Sequence, residues 1–494
     1  MFESRGARVF HWALIVSYLI VSFCLMLYGL NCYVLIYLFK KSEKKAAAER
    51  LIILQAFDPS ADNLPHVTTQ IPLYNEYNVA ERVIRSVCAM VYPIEKHEIQ
   101  ILDDSDDETV GLVDDLVCQY AEKGHRITCL RRVDRTGYKA GALQQGLIRS
   151  AGEYLAIFDG DFVPPDDFLM RTLPFFLCEK KLGLVQARWG HLNSDASMLT
   201  RTQSLGIDGH FMVEQAARNT GGLYMNFNGT AGIFRKQAII HAGGWQHDTL
   251  TEDMDLSYRI QFEGWTSLFL PDLVVPGEIP EDIRAFKSQQ FRWAKGSMET
   301  AMKLLPRILK SPIPWFKKIQ AFFHLTHYMV HPLMLVLAVL ALPVMTLVNR
   351  DIAPFFFVCL AMFLLLSMSA PSALYLVSRR ATGGATLNTL FLIPFLIVTG
   401  TGIALSNARA VAEALMGVKS GFIRTPKKGD NQEKVYKATL PMSAVFEIAL
   451  GLYCAWSFFM YLEKGRYLIG PFLAVYAAGF LFTGFLTLYH SFRA

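Results

Sequence analysis

Three short acidic stretches place carboxylates where phosphate or proton chemistry could use them. In "AIFDGDF" an apolar run opens onto Asp159 and Asp161, one residue apart. In an extended segment, residues i and i+2 share a face. Both carboxylates can then act on one hard cation, Mg2+ or Mn2+, which binds through oxygen and bridges to phosphates. The alternative is an acidic turn that caps the next helix. In "ILDDSDD", Asp103 and Asp104 lie nearest the apolar run and can hydrogen-bond a base or ribose. Asp106 and Asp107 suit capping of a helix that begins near Glu108. In "LTEDMDL", Thr251 followed by Glu252, Asp253 and Asp255 suits the positive end of a helix. Capping explains one acid there, not three. A carboxylate held at that position can instead take a proton from an acceptor hydroxyl, and it can do so near its ordinary pKa if proton loss is late.

Cations and an indole complete the set. Lys139 stands in "GYKAGAL", and Gln289, Arg292 and Trp293 in "QQFRW". Arginine is the better phosphate partner, because its planar fork donates two parallel hydrogen bonds. Trp293 offers a flat face to sugar C–H groups. The ordinary alternatives are solvated surface charges and a core tryptophan.

The elements that must position these groups follow from composition and pattern. The chain has 494 residues, 52% hydrophobic and only 18% charged, whereas soluble domains carry about 25% charged residues. A large membrane-embedded fraction follows. The net charge of +5 is modest, with basic residues beside apolar runs, which suits a cytoplasmic membrane face and not nucleic acid. The eight cysteines are scattered without a CxxC pair, so neither a zinc site nor a disulfide framework is signalled. Residues 9–37 form an apolar run too long for a signal-peptide core, followed by "LFKKSEKK". This predicts a retained membrane helix with its basic C-terminal flank in the cytoplasm. From residue 51 to about 293, short apolar blocks alternate with helical patterns, which predicts βαβ units and a mainly parallel sheet. Both strand-end acid pairs then fall where such sheets bind ligands. Further apolar runs cover 321–348, 354–377, 387–405, 443–462 and 468–489.

In their order and spacing, "DDS", "KAGAL", "FDGDF", "VQARWGHLN", "NFNGTAGIFR", "TEDMDL" and "QQFRW" resemble the family 2 inverting glycosyltransferases of the cellulose synthase superfamily. The wording of "VQARW", "NGTAG" and "GGWQHDTLTEDMDL" is most similar to its cellulose synthase-like branch of mannan and glucomannan synthases. The resemblance implies an α/β domain of GT-A type joined to an α-helical transmembrane channel. The implied division is 1–50 for a membrane helix and basic flank, 51–300 for the cytosolic transferase domain, and 301–494 for interfacial and membrane helices. By the same resemblance Asp103, Asp104, Lys139, Asp159, Gln289 and Arg292 bind the nucleotide sugar, and Asp159 and Asp161 hold Mg2+ or Mn2+. Asp253, with Glu252 beside it, is the base. Phe227, Asn228, Gly229 and Trp293 meet the acceptor. Phe422, Thr425 and Lys427 occupy a gating-type loop at 419–432, although Arg424 and Pro426 depart from its usual wording.

The function expected is polymerisation of sugar from GDP-mannose or UDP-glucose into a β-1,4-linked mannan or glucan, with translocation across a plasma, inner or Golgi membrane. The alternative is a single transfer to a lipid acceptor. Implied partners are the nucleotide-sugar donor, the growing glycan and the bilayer, and a homo-oligomer is compatible with the pattern. Every expected acidic position is filled, which argues against a transporter or scaffold with a degenerate domain. One expectation comes from charge alone. The 387–405 run has basic flanks on both sides, so it should re-enter or lie in the interface, leaving about five spanning helices.

Overall fold

The computed structural model describes residues 5–58, 64–347, 353–419, 442–465, 467 and 470–493. Residues 9–37 carry no Asp, Glu, Lys or Arg, and they form the first part of one continuous 52-residue helix, α1 (Arg5–Ala56). Leu35, Ile36 and Phe39 of α1 pack on Phe211 and Ala217. Ile53 and Leu54, near its end, pack against the sheet core. Arg50 bonds Glu43 at 2.5 Å and lies 3.7 Å from Asp272.

Among the described residues, short blocks of β-branched and aliphatic residues form seven strands: β1 (Val67–Leu73), β2 (His97–Asp103), β3 (Arg126–Leu130), β4 (Tyr154–Ile157), β5 (Leu182–His191), β6 (Gly232–Arg235) and β7 (Thr266–Gly277). Their order is β3-β2-β1-β4-β6-β5-β7. Only β6 runs antiparallel to its neighbours. This is the mixed, mainly parallel sheet of a GT-A domain. Helices α2 (Tyr77–Cys88), α3 (Thr109–Glu122) and α4 (Tyr138–Arg149) make the crossovers of the first half. Polar side chains buried between β1 and β2 are paired: Thr69 Oγ1 lies 2.8 Å from His97 Nε2, and Gln70 donates to Gln100 Oε1 at 3.0 Å. Register then aligns the site. Leu73 pairs with Asp103, and Gln70 with Ile157, so the carboxyl ends of β1, β2 and β4 stand at one edge.

The second half adds α5 (Phe168–Cys178), α6 (Met198–Gly209), α7 (Ala216–Thr220), α8 (Lys236–His241) and α9 (Glu252–Phe262). A π-helical turn, His210–Gln215, separates α6 from α7. After β7, α10 (Ile283–Lys310) starts at Asp282, whose carboxylate caps the Arg284 N–H at 2.7 Å. Then come α11 (Trp315–Leu325), α12 (Val330–Leu347), α13 (Ala353–Ala381), α14 (Thr386–Gly402), α15 (Ala404–Leu415), α16 (Ser443–Glu463) and α17 (Gly470–Arg493).

Among the described residues, five helices are long and apolar enough to cross a membrane. They are α1, α13, α16, α17 and a helical stretch, His327–Thr346, that includes most of α12. The sixth apolar segment is bent by 44° between α14 and α15, which is a broken span or a re-entrant path. The bend follows Gly400 and Gly402 directly. Gly402 permits close crossing of α14 and α17, because a Cβ there would overlap Thr483 Oγ1 and the Gly479 carbonyl.

That crossing yields a test. Gly402→Ala should cost about 1–3 kcal/mol through overpacking, seen as a lower midpoint of thermal aggregation in detergent. An unchanged midpoint would mean that the two helices can part without loss.

Candidate active site

The site is assembled around Lys139 on the first turn of α4. The chain reaches it through two left-handed residues, Gly137 (φ 74) and Tyr138 (φ 46). Arg132 braces this turn by donating to the carbonyls of Thr136 and Tyr138, each at 2.8 Å. The same guanidinium holds both oxygens of Asp104, with Nε 2.9 Å from Oδ1. Lys139 Nζ then donates to Asp159 Oδ1 at 2.5 Å and to the Gly229 carbonyl at 2.8 Å. Gly229 has φ 86, and a Cβ there would stand 3.0 Å from Asp253 Oδ2. Both the backbone and the space therefore call for glycine.

Glu252 and Asp253 enter from the first turn of α9. Thr251 precedes them but does not cap the helix with its side chain. Its hydroxyl pairs with Thr300 Oγ1 at 3.1 Å instead. Asp255, the third acid, is buried on Arg259 at 2.7 Å and Lys303 at 3.0 Å. Two of the three acids thus face the cavity, and one supports the fold.

Crowding sets the protonation. Burial, then the Glu252 charge beside it, pushes Asp253 up to about 7, while Lys139 opposes the shift. The ordinary pKa expected for this acid does not hold here. Burial also raises Glu252, against the pull of Lys139. Burial alone would lower Lys139, but Asp159 and Glu252 more than offset it and the ammonium is held charged. Burial lowers Arg292, with Glu252 and Asp159 opposing.

One cavity of about 220 Å³ is lined by Asp104, Lys139, Asp159, Asp161, Asn228, Gly229, Glu252, Asp253, Gln289, Arg292 and Trp293. The last three share a face of α10. Asp103 and Phe227 are not in that lining. The Asp103 carboxylate is fully buried, bonded by Arg131 Nε at 3.0 Å and by the Ser105 N–H at 3.1 Å. The Phe227 ring is buried 4.8 Å from Phe234 in the core. Asp107 accepts the Thr109 N–H at the start of α3, and Asp106 bonds Asn75. Phe422, Thr425 and Lys427 lie outside the described residues.

Several lining residues have no role read from the sequence, although Trp189 and His191 stand in the stretch "VQARWGHLN". Trp189 on β5 lies 6.4 Å from Trp293 and joins an aromatic wall with Phe162 and Phe211. Tyr74, Arg135 and His191 also line the cavity. A second cavity of about 370 Å³ shares Trp189, Asn228, Asp253, Gln289 and Trp293 with the first. It leads to His210, whose Nδ1 lies 2.9 Å from Glu214 and Nε2 3.0 Å from Asn228 Nδ2. A third cavity of about 440 Å³ shares His210, Glu214, His327 and His331 with the second and runs among the apolar helices. The geometry offers an acid-rich cavity with Arg135, Lys139 and Arg292 set among its carboxylates, an aspartate of raised pKa where it meets the second cavity, and a largely apolar passage beyond that carries His210, Glu214, His327 and His331.

Residues 65–296 match the family described as "Glycosyltransferase like family 2". Glucomannan 4-beta-mannosyltransferase 2 from Arabidopsis thaliana is 43% identical over 268 residues, covering 53% of this chain. That match spans only 50% of the relative's length. Glucomannan 4-beta-mannosyltransferase 9 from the same organism is 34% identical over 440 residues, covering 84% of this chain and 80% of the relative. Among solved structures, a mannosyltransferase from Pyrobaculum calidifontis aligns at 18% identity over 81% of this chain and all of its own, with a TM-score of 0.49. That likeness is too low to bear on substrate or metal.

The raised acid gives a direct prediction. Asp253 should remain protonated at about pH 6 and be ionised by about pH 8, whereas an ordinary aspartate ionises near pH 4. Infrared difference spectroscopy of the carboxyl stretch, with Asp253→Asn as the blank, reads this. Glu252→Gln removes a like charge and should move the titration to lower pH. No movement would mean that Glu252 is not a source of the shift.

Proposed function

This chain belongs to the family 2 glycosyltransferases, in the cellulose synthase-like branch of its glucomannan mannosyltransferase relatives, and from that premise we propose that it polymerises mannose from GDP-mannose into a β-linked mannan. UDP-glucose is the second donor, giving glucan or a mixed chain. The observation that carries this reading is the meeting of two cavities at Asp253 and Trp293. A donor in the first can face an acceptor end in the second, with Asp253 between them.

In this reading Asp253 takes the proton of the acceptor hydroxyl. That oxygen forms a bond to the anomeric carbon as the carbon–oxygen bond to the diphosphate breaks on the opposite face. The electron pair leaves with the diphosphate, and an α-linked donor gives a β-linked product. Arg292 and Lys139 stabilise the charge that develops on the leaving group. Trp293 and Trp189 hold the acceptor ring, and Asn228 and Gly229 set its depth.

Asp159 and Asp161 suit Mg2+ or Mn2+, which keeps water and substrate phosphate and needs only one or two protein carboxylates. Among the described residues no group of three His, Cys, Asp or Glu is poised for a metal, so the chain's share would be that pair. A bound ion would add positive charge at the diphosphate. The third cavity would carry the lengthening chain between the apolar helices, with the transferase domain on the cytosolic side of a plasma, inner or Golgi membrane. The basic ends of the α14–α15 segment support a re-entrant path on that same side.

Two experiments separate this from a single transfer to lipid. Labelled GDP-mannose should yield a ladder or insoluble polymer, and one chloroform-soluble species would favour lipid transfer. Asp253→Asn should lower transfer by about 10²–10⁴-fold, the scale of a lost general base, with donor binding by calorimetry largely kept. Asp161→Ala should lose both. Lost donor binding in the Asp253 variant would remove it from the role of base. For the bent segment, single cysteines at Ala381 and Lys419, both exposed, should label from the same face.

A further inference from the structure

The loop from β3 to α4 carries three arginines, and two of them are committed to acids. Arg131 binds Asp103 and Asp114. Arg132 binds Asp104 and the carbonyls of the turn. Arg135 differs. Its Cζ lies 3.2 Å from the centre of the Tyr74 ring and 5.6 Å from that of Tyr138. It makes no ion pair among the described residues, and its buried Nε has no hydrogen-bond partner. Stacking fixes the plane of the guanidinium and leaves its donors unspent.

Its position narrows what those donors meet. Arg135 and Tyr74 line the donor cavity with Leu102, Asp104 and Ala142, at the carboxyl ends of β1 and β2. The diphosphate-side groups Lys139 and Asp159 come from α4 and the turn after β4, beyond Tyr138. The brace by Arg132 holds Arg135 in place by bonding the carbonyls of Thr136 and Tyr138, just after it. A planar fork held on an aromatic face suits two adjacent acceptors in one plane. Guanine presents such a pair, O6 and N7, and arginine meets it with two hydrogen bonds. Uracil sets a single carbonyl beside an N–H donor, which opposes a second guanidinium donor.

We infer that Arg135 reads the base of the donor nucleotide and selects guanine over uracil. The inference rests on the GDP-linked donor proposed above and assigns that preference to one side chain.

The test is calorimetry of GDP, UDP and 7-deaza-GDP with the full chain in detergent and Mg2+. The unaltered protein should bind GDP about tenfold to a hundredfold more tightly than UDP, the scale of one bidentate base contact. It should also bind 7-deaza-GDP, which lacks the N7 acceptor, more weakly than GDP. Arg135→Lys keeps the charge but not the fork. It should lose the GDP preference and the N7 effect, with UDP affinity within about twofold of the parent. Equal loss of GDP and UDP would assign Arg135 to the phosphates and overturn the inference. A GDP preference that survives in Arg135→Lys would also overturn it while leaving the donor reading intact. If the unaltered protein prefers UDP, the donor reading itself fails. The 7-deaza-GDP comparison on unaltered protein remains decisive if the variant does not fold: equal affinities would overturn the inference.

Discussion

One ammonium group stands among three carboxylates in a half-buried cavity. Lys139 arrives on α4, Asp159 at the end of β4, and Glu252 and Asp253 at the start of α9. Charges a few ångströms apart interact weakly in water and several times more strongly where water is scarce. Without the ammonium the acids would be held apart or protonated together. With it, burial and then the Glu252 charge still raise Asp253, the one of the three that also lines the second cavity. The same Nζ holds the Gly229 carbonyl, so charge balance and loop position are one arrangement. Because Arg132 ties Asp104 to the turn ahead of Lys139, the acid just after β2 helps to fix where the ammonium stands.

Helix α10 transmits that arrangement to the apolar helices. Gln289, Arg292 and Trp293 are spaced to share one face. Lys287 is buried in an ion pair with Glu447 of α16. The Ile283 N–H donates to His490 Nδ1 on α17 at 3.1 Å, and Lys295 meets Glu413 of α15 at 3.1 Å. Buried ion pairs contribute little net stability because desolvation offsets attraction. Their value here is register: each bond fixes the rotation of α10 relative to α15, α16 or α17, and so the aim of its Arg and Trp.

Much of this was legible in the chain. Strand-end acids announce themselves because apolar runs stop on them, and an i, i+3, i+4 motif declares a helix face. What stayed hidden depends on tertiary neighbours. The Asp253 shift needs burial beside Glu252, and only the fold supplies that enclosure and brings in the lysine that opposes the shift. Phe227 sits in a loop with site-like wording, yet its ring belongs to the core, which no local pattern reveals. Arg135 sits in "RRVDRTGYK", where it looks as solvated as its neighbours. Only the ring of Tyr74, brought across from β1, distinguishes it.

Helix α1 sets a scale for the molecule. At about 1.5 Å per residue its 52 residues extend roughly 78 Å, far more than the roughly 30 Å of a bilayer's hydrocarbon core. One unbroken rod joins the apolar bundle to the sheet, and Arg50 near its end meets Asp272 on β7. Such a rod meters azimuth as well as height, since each added residue turns everything beyond it by about 100°. Length changes between the bundle and Arg50 are therefore quantised: those near whole turns keep phase and lift the sheet by a step, while others rotate Arg50 away from β7. Hydrophobic matching can tilt this rod, but it cannot telescope it.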